Sequence, residues 1–260
     1  MEIVFINPGA EDMIRQIMEF QGEGETAFWS DSLYHFFPQL DRARADALPF
    51  PERKQYIGGV LRRVYGELED VIDEKAALYS RHWSSCRAQI SEALSEAFEV
   101  DCGALFNDLR CHVSLNPIGP RFLREHRFDV FYLNSERGAI GVSIHELIHF
   151  VWFYVWNDLF GDSYDEYERP SLKWILSEMV VESVMRDPRL SSINPYFPRE
   201  HGGCVYPYFF DMAVNGSWIL DTLDKLYRSQ NIREFMKTSY AYCQQHEAEI
   251  RAHMEQSENK

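Results

Sequence analysis

The stretch VSIHELIHFV, residues 142–151, decides how this chain is read. It is either the apolar flank of a buried helix that happens to carry two histidines, or a helix built to present them. On an α-helix, positions four apart differ by about 40° in azimuth, so His145 and His149 project one above the other and can share one tetrahedral metal ion. Glu146, one step round from His145, then reaches metal-bound water instead of the metal. Five letters with three fixed also occur by chance, so the surroundings must decide.

With 260 residues and 45% hydrophobic content, the chain can bury one substantial core. A single domain over 1–260 is expected. It divides into an N-terminal extension packed on the core (1–50), a helical scaffold (51–100), the core that carries the motif (101–190), and C-terminal loop and helices (191–260). The formal net charge of −15, with no gathering of Lys and Arg, argues against nucleic acid as a partner. Cys86, Cys102, Cys111, Cys204 and Cys243 are odd in number and lack any C-x-x-C spacing. Neither a disulfide framework nor a cysteine zinc site is indicated, and a cytoplasmic location is expected. The opening MEIVFINPGAEDM lacks the basic and long apolar regions of a signal peptide. Residues 139–160 approach membrane-span length but contain His145, Glu146, His149, Asn157 and Asp158, so they read as a buried helix and no membrane partner is expected.

Around the motif the period changes twice. Ile3 to Ile6 reads as a short strand and Glu11 to Phe20 as a helix, followed by an irregular aromatic segment whose Phe28, Trp29, Tyr34, Phe36 and Phe37 complete the core or cover a cleft. Ile57, Leu61, Val64, Leu68 and Val71 step by four and three, predicting a long helix from Pro51; a second is predicted over Ser84 to Phe98. Residues 111–115 and 128–133 are short and rich in β-formers, and read as strands. Gly138 and Gly141 open the motif helix, which runs to Phe160. After the polar loop GDSYDEYER, Pro170 sits near the start of another helix that Asp187-Pro188 ends. Two more helices are predicted over Ser217–Arg228 and Asn231–Arg251.

A zinc site with an open water position needs a third protein donor. The segment WILSEMVVES offers Glu178 and, four residues on, Glu182, both within an apolar run that needs a partner for any buried carboxylate. A metal would partner Glu178, and a ring N–H of a ligating histidine would partner Glu182. The other acidic choices are Asp162, Asp165, Glu166 and Glu168 in the polar loop, which read as solvated.

These residues resemble the gluzincin branch of the zincin metallopeptidases. Val142, Ser143, Leu147, Ile148, Phe150 and Val151 fit the flanking pattern of that superfamily, and Glu178-Met-Val-Val-Glu182 fits its glutamate-helix motif, with Glu182 where an aspartate is usual. Trp152 and Val155 stand where a metzincin has glycine and a further ligand, and no aspzincin pattern follows. The resemblance covers residues 128–186. It implies a zincin-like α+β fold, predominantly α-helical, with a small mostly antiparallel sheet beside the HExxH helix. Residues 128–133 are then the edge strand that pairs with substrate backbone.

It also implies Zn²⁺ held by His145, His149 and Glu178, with Glu182 supporting a histidine, Glu146 as general base, and peptide or protein substrates. A Tyr or His beyond the third ligand is then expected to stabilise the oxyanion; His201, Tyr206 and Tyr208 in REHGGCVYPY are the candidates. A Cys204/His201 nucleophilic pair is the weaker reading of the same loop, because it has no orienting partner. His112 and Asp211 read as structural. Two alternatives stay open: a non-catalytic zincin-like binding or regulatory protein, and a zinc amidohydrolase acting on a non-peptide amide.

Overall fold

The computed structural model describes residues 1–22, 27–194 and 203–258. Strand β1 (Ile3–Ile6) is followed by helices α1 (Ala10–Glu19), α2 (Ala27–Phe36), α3 (Arg42–Asp46), α4 (Phe50–Phe98) and α5 (Cys102–Leu105). Then come β2 (Leu109–Ser114), β3 (Arg121–Phe122), β4 (Arg127–Phe131), α6 (Glu136–Phe160), α7 (Leu172–Met185) and α8 (Pro188–Ser191). Toward the C-terminus lie β5 (Ala213–Val214), β6 (Ser217–Trp218), α9 (Ile219–Ser229), α10 (Ile232–Gln245) and α11 (Glu247–Glu258). The protein is predominantly helical, as the sequence predicts.

The two helices expected between residues 51 and 98 are one. α4 runs unbroken for 49 residues, about 74 Å at 1.5 Å per residue. The segment between the two predicted pieces, DEKAALYSRH, holds no Gly or Pro and is rich in helix formers, so nothing stops propagation. The buried stripe continues across it through Ile72, Ala76, Tyr79 and Trp83. Tyr79 hydroxyl reaches the carbonyls of Tyr132 (3.1 Å) and Asn134 (2.6 Å), tying this helix to the turn that enters α6.

The sheet beside the motif helix is mixed, not mostly antiparallel. Its order is β1-β2-β4-β3, with β1–β2 and β2–β4 parallel and only β3–β4 antiparallel. Every residue of β4 is buried, which follows from having both faces covered. Phe128 turns to α6 and meets Phe150 at 6.4 Å, while Arg127 and Asp129 turn the other way. The expected edge strand is therefore interior at its start: β4 pairs with β3 through Phe128 and Arg127, and Asp129 N–H donates to the Pro120 carbonyl at 3.0 Å. The two-residue β3 is the edge.

Ser135 caps α6 by accepting from Gly138 N–H at 3.0 Å, and Gly161, at φ 68°, ends it. The helix is apolar all round, so it must be covered all round. β4 and α4 cover two sides; Trp152 and Trp156 pack on α10 through Phe235 and Tyr240, and Phe153 stacks on Tyr167 at 4.4 Å. Among the described residues this is the one helix long and apolar enough to cross a membrane, and 83% of that window is buried inside the protein. Ser171, directly after Pro170, caps α7 by accepting from Trp174 N–H.

Toward the C-terminus two boundaries differ from the sequence reading. Ser217 and Trp218 belong to a hairpin with Ala213 and Val214, turned by Asn215 (φ 49°) and Gly216 (φ 73°), so α9 begins at Ile219. Asn-Gly is the pair a two-residue hairpin favours because both positions need positive φ. The last predicted helix breaks at His246 into α10 and α11. Within the first fifty residues Leu33, Phe37 and Leu40 join the core, Phe36 stays exposed at 42%, and the side chains of Phe28 and Trp29 lie outside the described residues.

Candidate metal centre

α6 carries the three motif side chains at the heart of the protein. His149 is fully buried, Glu146 is buried, and His145 is partly open. The helical geometry brings the two imidazoles together as the spacing requires: their Nε2 atoms lie 3.1 Å apart. His145, Glu146 and His149 offer donor atoms that all lie within 4.8 Å of one another, a group that could hold a metal ion.

α7, packed against α6, adds Glu178, also buried. Its Oε1 is 3.6 Å from His149 Nε2 and its Oε2 is 3.8 Å from His145 Nε2. Glu146 Oε1 is 3.9 Å from His145 Nε2. A tetrahedral ion with bonds near 2.0–2.1 Å separates its donors by about 3.3 Å. The histidine pair and the Glu178 oxygens bracket that figure, and Glu178 faces both rings.

Two buried polar atoms here lack hydrogen-bond partners among the described residues: Glu146 Oε2 and His149 Nδ1. Buried orphans of this kind are rare and need a reason. The second also shows that Glu182, expected to support a ligating histidine, is not hydrogen-bonded to His149 Nδ1. Glu182 is buried on α7, with Arg186 Nη1 4.0 Å from its carboxylate.

The site's electrostatics are those of a cation-seeking cluster. Burial works against the Glu178 charge, but His149 and Arg121 outweigh it and hold its carboxyl well below the usual range. Burial pushes the Glu146 carboxyl up, against the pull of His145 and Arg121. The imidazoles move oppositely: burial and the Arg121 charge push His149 down to about 3, while for His145 the Glu178 and Glu146 carboxylates overcome burial and raise it.

Arg121, on the edge strand, is a residue the sequence reading missed. Its Nη1 donates to Glu178 Oε1 at 2.8 Å, and its side chain is only 12% exposed. No sequence period links β3 to α7; only the fold does.

Two cavities open on this cluster. One, about 310 Å³, is lined by His145, Glu146, Glu178, Cys204 and Tyr206. The other, about 520 Å³, is lined by Arg121, Trp174, Glu178 and Tyr206 among others. Glu178, Tyr206 and Gly119 belong to both. Tyr206 stacks on Tyr208 at 5.4 Å between ring centres; burial, with Glu178 and Tyr208 nearby, raises its phenol well above the usual value. His201 lies outside the described residues, and so does any pairing of it with Cys204.

The loop carboxylates have other work than metal binding. Lys173 Nζ pairs with Asp162 and Glu166, each at 2.6 Å, and Arg124 pairs with Asp165 at 2.7 Å. Asp162, Asp165 and Glu166 are thus salt-bridged around a 3-10 turn, and Glu168 is exposed. His112 is buried against Asp12 (3.3 Å) and Arg127 (3.2 Å), and Asp211 meets His253 at 3.1 Å, so both keep structural contacts.

The geometry thus brings His145, Glu146, His149 and Glu178 together, sets Tyr206 on the cavities beside them, and adds Arg121. Comparison with known protein families, with curated proteins and with solved structures finds no match for the chain.

Proposed function

We propose that this protein is a zinc-dependent hydrolase that cleaves peptide bonds. What carries the reading is the convergence of His145 Nε2, His149 Nε2 and the Glu178 carboxylate, at 3.1 to 3.8 Å, beside Glu146 Oε2, which has no hydrogen-bond partner among the described residues. Two imidazoles and one carboxylate are a donor set that suits Zn²⁺ and leaves a coordination position open. His145, His149 and Glu178 would hold the ion. When bound, it supplies Lewis acidity, lowering the pKa of water and polarising a carbonyl oxygen.

The chain's own groups do the rest. Glu146 takes a proton from water as the water oxygen adds to the carbonyl carbon. Its raised pKa suits it to hold that proton and then deliver it to the departing nitrogen as the C–N bond breaks. The products are a carboxylate and an amine. Tyr206 keeps its phenolic proton and donates a hydrogen bond to the carbonyl oxygen as negative charge develops there. Arg121 holds Glu178 ionised and oriented.

The test is a peptide-library digest read by mass spectrometry, with zinc-loaded, chelated and Glu146→Gln protein. Cleavage by the first alone, with zinc still bound in the Glu146→Gln variant, is the expected result. A zinc-saturated parent that cleaves nothing would overturn the reading and favour a binding protein.

A further inference from the structure

Beyond Glu178 and Tyr206, the 520 Å³ cavity is lined by side chains that the hydrolytic step does not use. Phe20, Ile118 and Trp174 give it apolar walls, Arg121 lines it beside Glu178, and Glu168 and Arg169 line it as well. Arg121 is charged at any accessible pH and has five N–H donors in a planar fork. Among the described residues its guanidinium makes one hydrogen bond, through Nη1 to Glu178 Oε1. The remaining donors belong to a side chain that lines this cavity and is 12% exposed. In a chain of net charge −15, a largely covered guanidinium with spare donors beside a cavity is a selective feature.

We infer that Arg121 and this cavity bind a carboxylate of the substrate, with an apolar group of the same residue against Trp174 and Phe20. The planar fork matches a carboxylate in a two-pronged geometry that an amide or hydroxyl cannot reproduce. Gly119 and Tyr206 border both cavities, so a chain whose carbonyl lies near Glu146 in the smaller one can continue past Gly119 into the larger. At Gly119 an added Cβ would lie 3.1 Å from the Asp129 carbonyl, so the backbone here packs closely on β4. The carboxylate is either the substrate's C-terminus or an acidic side chain next to the cleaved bond.

The inference takes the peptidase reading as its frame, but its first test needs neither metal nor turnover. 3-Phenylpropionate and its neutral amide are titrated by calorimetry into metal-free parent, Arg121→Gln and Glu146→Gln proteins. Parent and Glu146→Gln are expected to bind the acid at least about tenfold more tightly than the amide, a preference that Arg121→Gln loses. Equal binding of the acid by parent and Arg121→Gln overturns the inference, whatever the protein does to peptides. If circular dichroism shows Arg121→Gln unfolded, Arg121→Lys takes its place; it keeps the charge but not the fork, and unchanged acid binding by it overturns the inference equally.

With zinc-loaded protein, matched peptides ending in a free carboxylate, in an amide, or in an amidated glutamate separate the two sources. Preference for the first marks a terminal carboxylate and preference for the third an acidic side chain. Equal cleavage of all three by an active parent contradicts the inference while leaving the hydrolytic reading intact.

Discussion

His145 Nε2 and His149 Nε2 stand 3.1 Å apart on one face of α6, and Glu178 Oε1 approaches the second to 3.6 Å from another helix. Each removes a donor if replaced. Because even outer partners of metal ligands cost about 10- to 100-fold in affinity, Glu178→Gln and His149→Ala are each expected to weaken zinc binding by more than about 100-fold. Competition with a chromogenic chelator measures this; zinc affinity unchanged in Glu178→Gln would remove that residue from the site.

Tyr206 lines both cavities with a phenol that stays protonated. Tyr206→Phe deletes one hydroxyl and keeps the stacking on Tyr208. For a donor to the developing oxyanion, kcat should fall by about 10²-fold while KM and zinc content hold. A fall in zinc content instead would make its role structural.

Tyr79 hydroxyl donates toward two carbonyls in the turn before α6, at 3.1 and 2.6 Å. Tyr79→Phe leaves the buried Tyr132 carbonyl without this partner and should cost about 1–3 kcal/mol in urea unfolding. Lys75 Nζ, 3.0 Å from the Asn134 carbonyl, limits the loss at that end.

Asp129 and His112 form a buried pair with Oδ1 and Nδ1 4.0 Å apart, beside Arg127 and Asp12. Burial raises Asp129 from 3.8 to about 7, so between those values the native state holds an extra proton and stability falls as pH rises. Burial and the Arg127 charge lower His112 from 6.5 to about 4, so over that window the unfolded state holds the extra proton and stability falls as pH drops. The two contributions oppose each other between about pH 4 and 6.5. In Asp129→Asn only the second remains, and that variant should lose up to about 3 kcal/mol relative to parent as pH drops from 6.5 to 4. Urea unfolding at several pH values checks the slope; parallel curves would show that Asp129 carries no extra proton.

What the sequence reveals about this site follows from helical period. His145 and His149 are predicted neighbours because four residues is nearly one turn, and Glu178 stands out as a carboxylate in an apolar run. Arg121 is silent in the sequence because its contact with Glu178 crosses from a two-residue edge strand to a distant helix. Strand direction is equally hidden, since β1 and β2 are joined by about a hundred residues of helix and loop whose path no local pattern fixes. Nor does β4 give it away: Arg127 and Asp129 alternate with Phe128, Val130 and Phe131 as in a half-exposed strand, although all five residues are buried. Asn215-Gly216 carried a readable hairpin signal, and the unbroken helix formers of residues 73–82 carried the continuity of α4.

That His145, His149 and Glu178 together hold zinc, with Glu146 left free to move protons, is tested most directly by an anomalous-difference map from crystals of zinc-loaded protein. A single peak is expected, about 2.0–2.1 Å from both Nε2 atoms and from a Glu178 oxygen, with Glu146 outside bonding distance. A zinc-saturated crystal with no peak there, or with Glu146 in place of Glu178 as the ligand, would refute that assignment.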